Sequence, residues 1–304
     1  MILRPVRDDE EDAEVVRLIT AAAFGAPNPL TVETPGAGPA AKSVPTPEAA
    51  PTAEFLAREH GRFRHLARTD PGGCWLAEDE TAGPVGVALS TRREGTWGLS
   101  LLAVVPGAQG KGVGKALLAR ALVHGRACLR GIICCPRHPV AARTCRRAGF
   151  TLHPAMRLLG PVDPTGLKPL DGAVHGGTAR HRDMMDSVDR RTRGGAHGAD
   201  HEELLRTHRL FVVDDLAGSG YCYADDDGVE LLAATSRRLA TRLLTAALLT
   251  MPQGRSVRVR HLTAEQDWAV DVGIAAGLAV VNAGYVCLRG MRPPMPYLPS
   301  SDLL

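Results

Sequence analysis

With 304 residues the chain is longer than one hydrophobic core usually serves, so two domains are expected. Its 44% hydrophobic and 23% charged residues are those of a globular protein, and no run reaches the roughly 18 apolar residues that a membrane span needs. A net charge of +3 with 4% aromatic residues excludes the dense basic stripe and stacking rings of a nucleic-acid binder.

The charge is unevenly divided. Up to residue 160 there are 20 Lys+Arg against 15 Asp+Glu, and beyond it 16 against 18, giving +5 and −2. A modest local excess of this kind suits a small polyanion. Seven cysteines, with no CxxC spacing and an adjacent pair at Cys134 and Cys135, fit neither a disulfide framework nor a zinc site. Reduced thiols and a cytoplasmic location are therefore expected. The opening MILRPVRDDEEDAE turns acidic by Asp8 and offers no apolar targeting core.

In chain order, Met1 to Val6 reads as a strand and Asp8 to Phe24 as a helix, with Val15, Val16, Ile19 and Ala22 at helical spacing and Gly25 as its stop. Residues 26–52, rich in Pro, Ala, Gly and Thr without periodicity, bury too little to offset ordering entropy, and a mobile loop is expected. A helix follows over Ala53 to Ala67, then strands at Cys74 to Ala77, Val85 to Ser90 and Thr96 to Val105. Beyond a glycine turn come a helix from Val113 to His124, a strand from Gly131 to Cys135, a helix from Pro139 to Ala148 and a strand from Phe150. That strand–helix–strand order implies a parallel pair.

Residues 161–177 read as a linker, with DPTGLKPLDGAVHGG aperiodic from Asp163, and the order then repeats. Helices are expected at Thr178 to Arg193 and His201 to Thr207, and strands at Leu210 to Val213, Gly220 to Ala224 and Val229 to Ala234. A helix from Arg237 to Met251, a strand from Ser256 to Leu262, a helix from Glu265 to Gly277 and a strand from Tyr285 to Arg289 complete it. Two tandem copies of one fold are thus expected, 1–160 and 178–304. The second lacks the glycine turn, because its strand at Val229 to Ala234 runs into a helix within two residues.

The turn itself, in LAVVPGAQGKGVGKALL, sends a strand through glycines into a helix N-terminus, where free N–H groups and the helix dipole favour an anion. Phosphate is the natural guest, with Lys111 and Lys115 at the rim. A phosphate-binding Walker loop would need Gly and Ser/Thr where Gln109 and Ala116 stand, and a dinucleotide GxGxxG would need Gly at Lys115 or Leu117. What remains is QxxGxG, Gln109 to Gly114, after an apolar strand. With RTCRRAGF, Arg143 to Phe150, as a helix-to-strand ending similar to YxxxGF, the first 160 residues resemble the GNAT superfamily of N-acetyltransferases.

The resemblance implies an α/β (α+β) fold, a mixed central sheet flanked by helices. It also implies acetyl-CoA as co-substrate and direct acetyl transfer to an amine of a small molecule or peptide. Leu102, Ala103 and Val104 would contact the pantetheine, and Gln109, Gly110, Lys111, Gly112, Val113, Gly114 and Lys115 the pyrophosphate. The tyrosine that often protonates the leaving thiolate falls at Cys145, a departure that weakens the carry-over; a small half-buried helix residue is the competing account. Glu94 is the carboxylate offered as base, with Ser100 as a water-positioning hydroxyl, against the plainer reading of a solvated loop charge. An acyl-CoA sensor without turnover stays as the alternative class.

In MMDSVDRRTRGGAHGADHEELL, Asp186 with Arg190 and Asp189 with Arg193 read as ion pairs one helical turn apart, Gly194 and Gly195 as a helix end and Asp200 as a cap. The functional counter-reading has Arg190, Arg193, His197 and His201 facing a cleft between the copies. His197 and His201 show no third metal ligand nearby in sequence, and no metal is expected. The closing MRPPMPYLPSSDLL offers Met295 and Tyr297 as anchors for the other copy or for a second subunit in a homodimer.

Overall fold

The structure is a computed structural model that describes residues 1–25 and 52–304; the loop expected at 26–52 lies, apart from Thr52, outside the described residues. The first half begins with strand β1 (Ile2–Pro5) and helix α1 (Glu10–Phe24), whose N-cap Asp9 accepts from the N–H of Asp12. Helix α2 (Ala53–Thr69), capped by Thr52, leads to β2 (Trp75–Asp79), β3 (Gly83–Arg93) and β4 (Thr96–Val104). Helix α3 (Val113–His124), β5 (Arg130–Cys135), α4 (Pro139–Arg147) and β6 (Thr151–Pro161) follow.

After the short β7 (His175–Gly176), the second half has α5 (Arg182–Thr192), α6 (Asp200–Thr207), β8 (Arg209–Asp215), β9 (Gly218–Asp225) and β10 (Gly228–Ala234). It ends with α7 (Arg237–Leu249), β11 (Ser256–Leu262), α8 (Asp267–Ala275), β12 (Ala279–Arg289) and β13 (Tyr297–Leu298). The expected helix at Thr178 starts instead as a 3-10 turn capped by the Thr178 side chain. β12 begins six residues before the expected Tyr285, because Asn282-Ala-Gly284 forms a bulge rather than a turn. Gly284 sits at φ 113°, where a Cβ would lie 2.3 Å from the Cys135 carbonyl.

All the strands form one mixed sheet in the order β1-β2-β3-β4-β5-β12-β6-β11-β10-β9-β8-β7, with β13 added on β10. β4 runs parallel to β5, as the strand–helix–strand order predicts, and β10 runs parallel to β11. The last long strand of each half is exchanged. β12 pairs with β5 (Val286↔Cys134) and β6 pairs with β11 (Leu158↔Val259), while β6 and β12 pair with each other. The two halves are therefore related by a pseudo-two-fold between β6 and β12.

Helices α1 and α2 meet α5 and α6 over one face, around Phe63, Leu66, Leu101, Met185 and Tyr221, and a buried ion network joins the halves there. Asp200 accepts from His65 Nε2 at 2.8 Å and from Arg93 Nε and Nη2 at 2.8 and 2.6 Å; Arg93 also reaches Asp70 at 2.7 Å. Burial works against the charge of Asp200, yet His65 and Arg93 hold its carboxyl at about 2.

Candidate functional site

After β4, a 3-10 turn at Pro106–Ala108 reverses the chain, and Gln109 Nε2 braces it by donating to the Val104 carbonyl at 2.9 Å. Gly110 and Gly112 then take φ of 76° and 86°, and an added Cβ at either would meet none of the described residues within 4 Å. Their glycines are thus demanded by backbone conformation, and the space beside them is open. Among the described residues no acceptor takes the N–H groups of Gly110, Lys111, Gly112, Val113, Gly114 or Lys115.

α3 also begins without a side-chain cap and without an acid in its first turn, whereas α1 has both. Unmatched donors, the positive helix end and two lysines make this turn an anion cradle.

The cradle lies at the open end of a slot. β4 and β5 pair from Thr96↔Arg130 to Leu99↔Ile133 and then separate. Ser100 is the extra residue of a bulge, since Leu99 opposes Ser90 and Leu101 opposes Leu89 on β3. Among the described residues, β4 has no ladder partner on its β5 side from Ser100 to Val104, including Leu102 and Ala103, and Cys134 and Cys135 pair only with β12. Unpaired backbone along a slot is what an extended amide-bearing chain can bond.

Cys145 is 5% exposed on α4, and its Sγ lies within 4.8 Å of those of Cys135 and Cys287. The structure thereby brings Cys145 to the slot wall. Hydrogen bonding to Cys145 pushes the Cys135 thiol up to about 12, and thiol donation from Cys135 and Cys287 makes Cys145 the most easily deprotonated of the three.

Glu94 is not brought to the slot. It occupies the β3–β4 hairpin at φ 40°, at the far end of β4, a strand about 26 Å long at ~3.3 Å per residue. Arg190 grips its carboxylate at 2.7 and 2.9 Å and the Ala196 N–H adds a bond at 3.0 Å, holding the carboxyl below its usual range.

In the second half the corresponding features are closed. β10 and β11 pair only at Gly228↔Arg258 and Val229↔Val259 before separating, but β13 fills the gap through Leu298↔Leu232 and Tyr297↔Ala233. Ser236 caps α7, accepting from the Leu239 N–H at 3.4 Å, so no glycine cradle forms. Of the two anchors expected in the tail, Tyr297 is buried and Met295 is 43% exposed. The segment then crosses to the first half, where Ser100 Oγ donates to the Asp302 carbonyl, Thr91 Oγ1 donates to that of Leu304 at 2.7 Å and Leu304 covers Gly98.

Two expected ion pairs on α5 are absent from the described contacts: Asp186, Asp189 and Arg190 take other partners, while the buried guanidinium of Arg193 has no hydrogen-bond partner among the described residues. Asp189 turns inward and accepts from Tyr221 Oη, from His197 N–H and Nδ1 at 3.0 and 2.7 Å, and from His201 Nε2 at 3.2 Å. Although burial raises it, the two histidines hold Asp189 well below the usual carboxylate range. Arg190 has gone to Glu94, and Arg182 replaces it on Asp186 at 3.0 Å. Asp200, expected as a cap, is instead the ion-network hub, with Ala199 at the cap position.

Arg193, His197 and His201 are buried; Tyr297 Oη lies 3.2 Å from His197 Nε2. Asp189 thus supplies the third potential ligand that the sequence spacing hid, and its carboxylate is already occupied by hydrogen-bond donors.

Burial holds His197, His208 and His261 each at about 4, below the ~6.5 of an unfolded histidine. Groups depressed in this way contribute stability that is complete above pH ~6.5 and lost as pH falls through 4. The thermal midpoint is expected to drop by roughly 10 °C across that window. A flat profile down to pH 4.5 would show these histidines charging freely in the folded state.

Residues 43–150 match the family described as Acetyltransferase (GNAT) family. No curated protein matches the sequence. Among solved structures, the chain is similar to a putative acetyltransferase from Pyrococcus horikoshii, at 16% identity and TM-score 0.70, covering 99% of this chain and 92% of that one. A tandem GNAT protein from the clavulanic acid biosynthesis pathway is similar at 15% identity and TM-score 0.56, covering 96% and 99%. A GCN5-related N-acetyltransferase from Kribbella flavida is similar at 18% identity and TM-score 0.53, covering 95% and 71%. These likenesses carry the fold, and they carry it across both halves.

Proposed function

We propose that this chain is a tandem GNAT protein whose first copy binds acetyl-CoA and transfers its acetyl group directly to an amine, a reading supported by the family match over residues 43–150 and by a fold likeness that spans both halves. One observation carries the reading: an uncapped, lysine-rimmed turn with six unmatched N–H groups stands at the mouth of a slot between two parallel strands. A pyrophosphate fits the cradle, and a pantetheine arm fits the unpaired edge from Ser100 to Val104.

With the phosphates at Gln109 to Lys115, the thioester falls at the narrow end, near Ser100 and Cys134. The β4 backbone freed there can polarise the thioester carbonyl as charge develops on its oxygen. Cys145, behind Cys135, stands where the resemblance puts the leaving thiolate's proton donor, but as the most easily deprotonated of the three thiols it is poorly suited to supply that proton. The second copy, with its slot filled by β13 and its helix capped, contributes walls rather than a second cofactor site. No described helix is long and apolar enough to cross a membrane, and a cytoplasmic protein acting on a small-molecule or peptide amine is the reading adopted.

The test is to incubate the protein with acetyl-CoA and a panel of amines and to follow free thiol. Amine-dependent release is expected. Tight acetyl-CoA binding with no release across a broad panel would replace transfer by sensing.

A further inference from the structure

The bulge that opens the slot in β4 has a counterpart in β10. Val229 opposes Ala224 and Leu231 opposes Tyr223 on β9, leaving Glu230 as the extra residue where β10 parts from β11. Ser100 and Glu230 are therefore equivalent positions of the two copies. The tail joins them across the pseudo-two-fold: Ser300 Oγ donates to Glu230 Oε1 at 2.5 Å, the Asp302 N–H donates to Ser300 Oγ at 3.0 Å, and Ser100 Oγ donates to the Asp302 carbonyl. Cys134 Sγ of the slot wall lies 4.0 Å from the Ser300 carbonyl. Glu230 thus comes from the copy without a cradle to the narrow end of the slot that has one.

Its carboxylate borders a small cavity between the halves, walled by α2, α6 and the tail. Positive charge faces it from Arg58 and Arg62 of α2 and from Arg260 of β11, whose Nη1 is 3.7 Å away. Negative charge comes from Glu59, Glu203 and Asp302, and His208, just past the end of α6, completes the titratable wall. The arginines are largely committed elsewhere: Arg62 to Asp302 at 2.9 Å and Arg58 to Asp225 at 2.6 Å. Among the described residues Arg260 is the one ion partner of Glu230, and at 3.7 Å the pair is a loose one.

We propose that Glu230 is the base that removes a proton from the acceptor amine, so that the active site is assembled from both copies. The inference rests on the acetyl-transfer reading. The acceptor reaches the narrow end of the slot as an ammonium and gives one proton, relayed by a water that the small polar cavity can hold, to the Glu230 carboxylate. The freed lone pair forms the N–C bond to the thioester carbonyl, and the C–S bond breaks with its electron pair going to sulfur. The nitrogen's surplus proton then leaves toward the thiolate, giving an amide and a free thiol.

Burial and the neighbouring Asp302 raise the Glu230 carboxyl to about 7, against the pull of Arg260 and Ser300, which suits a base working near neutrality.

Glu230→Gln tests the assignment in the full-length protein, with acetyl-CoA binding followed by calorimetry and thiol release followed against pH. For the parent protein, kcat/KM should fall with unit slope below pH ~7, as the carboxylate takes up its proton. The variant should bind acetyl-CoA unchanged, lose about 100-fold or more in kcat, and lose that acid limb. Glu230→Asp should recover part of the rate and keep a limb, whereas Glu94→Gln should leave the profile as it was.

A Glu230→Gln protein with the parent's pH profile overturns the assignment, and so does a variant whose rate loss comes with an equal loss of acetyl-CoA affinity or thermal stability while the limb persists. Failure of the parent protein to bind acetyl-CoA, or to release thiol with any amine, overturns the acetyl-transfer reading itself and this inference with it.

Discussion

Replacing Gly112 by Asp should weaken acetyl-CoA binding by about 100-fold or more, while Gly112→Asn should weaken it far less. Both side chains put the same bulk at a backbone φ of 86°, and Asn and Asp tolerate that left-handed conformation better than other residues. Neither meets an atom of the described residues within 4 Å at its Cβ, so both variants should unfold within a few degrees of the parent. What separates them is charge. A carboxylate about 5 Å from a phosphate, in surroundings of effective dielectric ~20, costs roughly 3 kcal/mol, which is about two decades in affinity.

Calorimetric titration of the three proteins with acetyl-CoA reads the difference directly. Equal affinities for the Asp variant and the parent would mean that the cradle holds no phosphate. An equal, large loss in both variants would mean that the turn's shape alone governs binding.

The turn was legible because its signals are local. Spacing alone separates QxxGxG from the other glycine loops, and the structure places Gly110 and Gly112 at the positive φ that makes those glycines necessary. The repeat was legible for the same reason, since α3, α7 and β11 are set by their own periodicity and caps.

What escaped depends on residues far apart in the chain. Asp189 in DRRTR looks like a surface ion-pair partner. Only the arrival of Tyr221, from a strand 32 residues on, and of His197 makes it the centre of a buried network. Met-Pro-Tyr-Leu-Pro gives no period that distinguishes a loose tail from the strand that fills the second slot. Glu230 did leave a trace: it is the one charge inside GVELLAA, an otherwise apolar strand, where burying a carboxylate is costly without a purpose or a partner. The trace could be read only with β10's bulge and the tail's Ser300 in view.

The exchange of β6 and β12 predicts that the halves cannot be separated. Residues 1–168 and 169–304, each produced alone, should show no cooperative unfolding transition, and mixing them should restore one. β6 is flanked by β12 and β11, both from the second half, so the first fragment holds a strand with no neighbour on either side. Leu158 of β6 is fully buried in the second half's core and packs so tightly under α8 that a Cβ on Gly273 would lie 2.3 Å from it. Leaving such surface and an open ladder exposed favours aggregation over folding.

The loss should extend to the cofactor. β5 forms one wall of the slot, and its outer edge is held by β12 through Tyr285↔Cys135 and Val286↔Cys134. The first fragment, although it contains the whole glycine turn, should therefore bind acetyl-CoA at least 100-fold more weakly than the intact chain. A monomeric first fragment that unfolds cooperatively and binds acetyl-CoA normally would show that β6 can take β12's place beside β5. The second copy would then be an attachment rather than a structural half of the site.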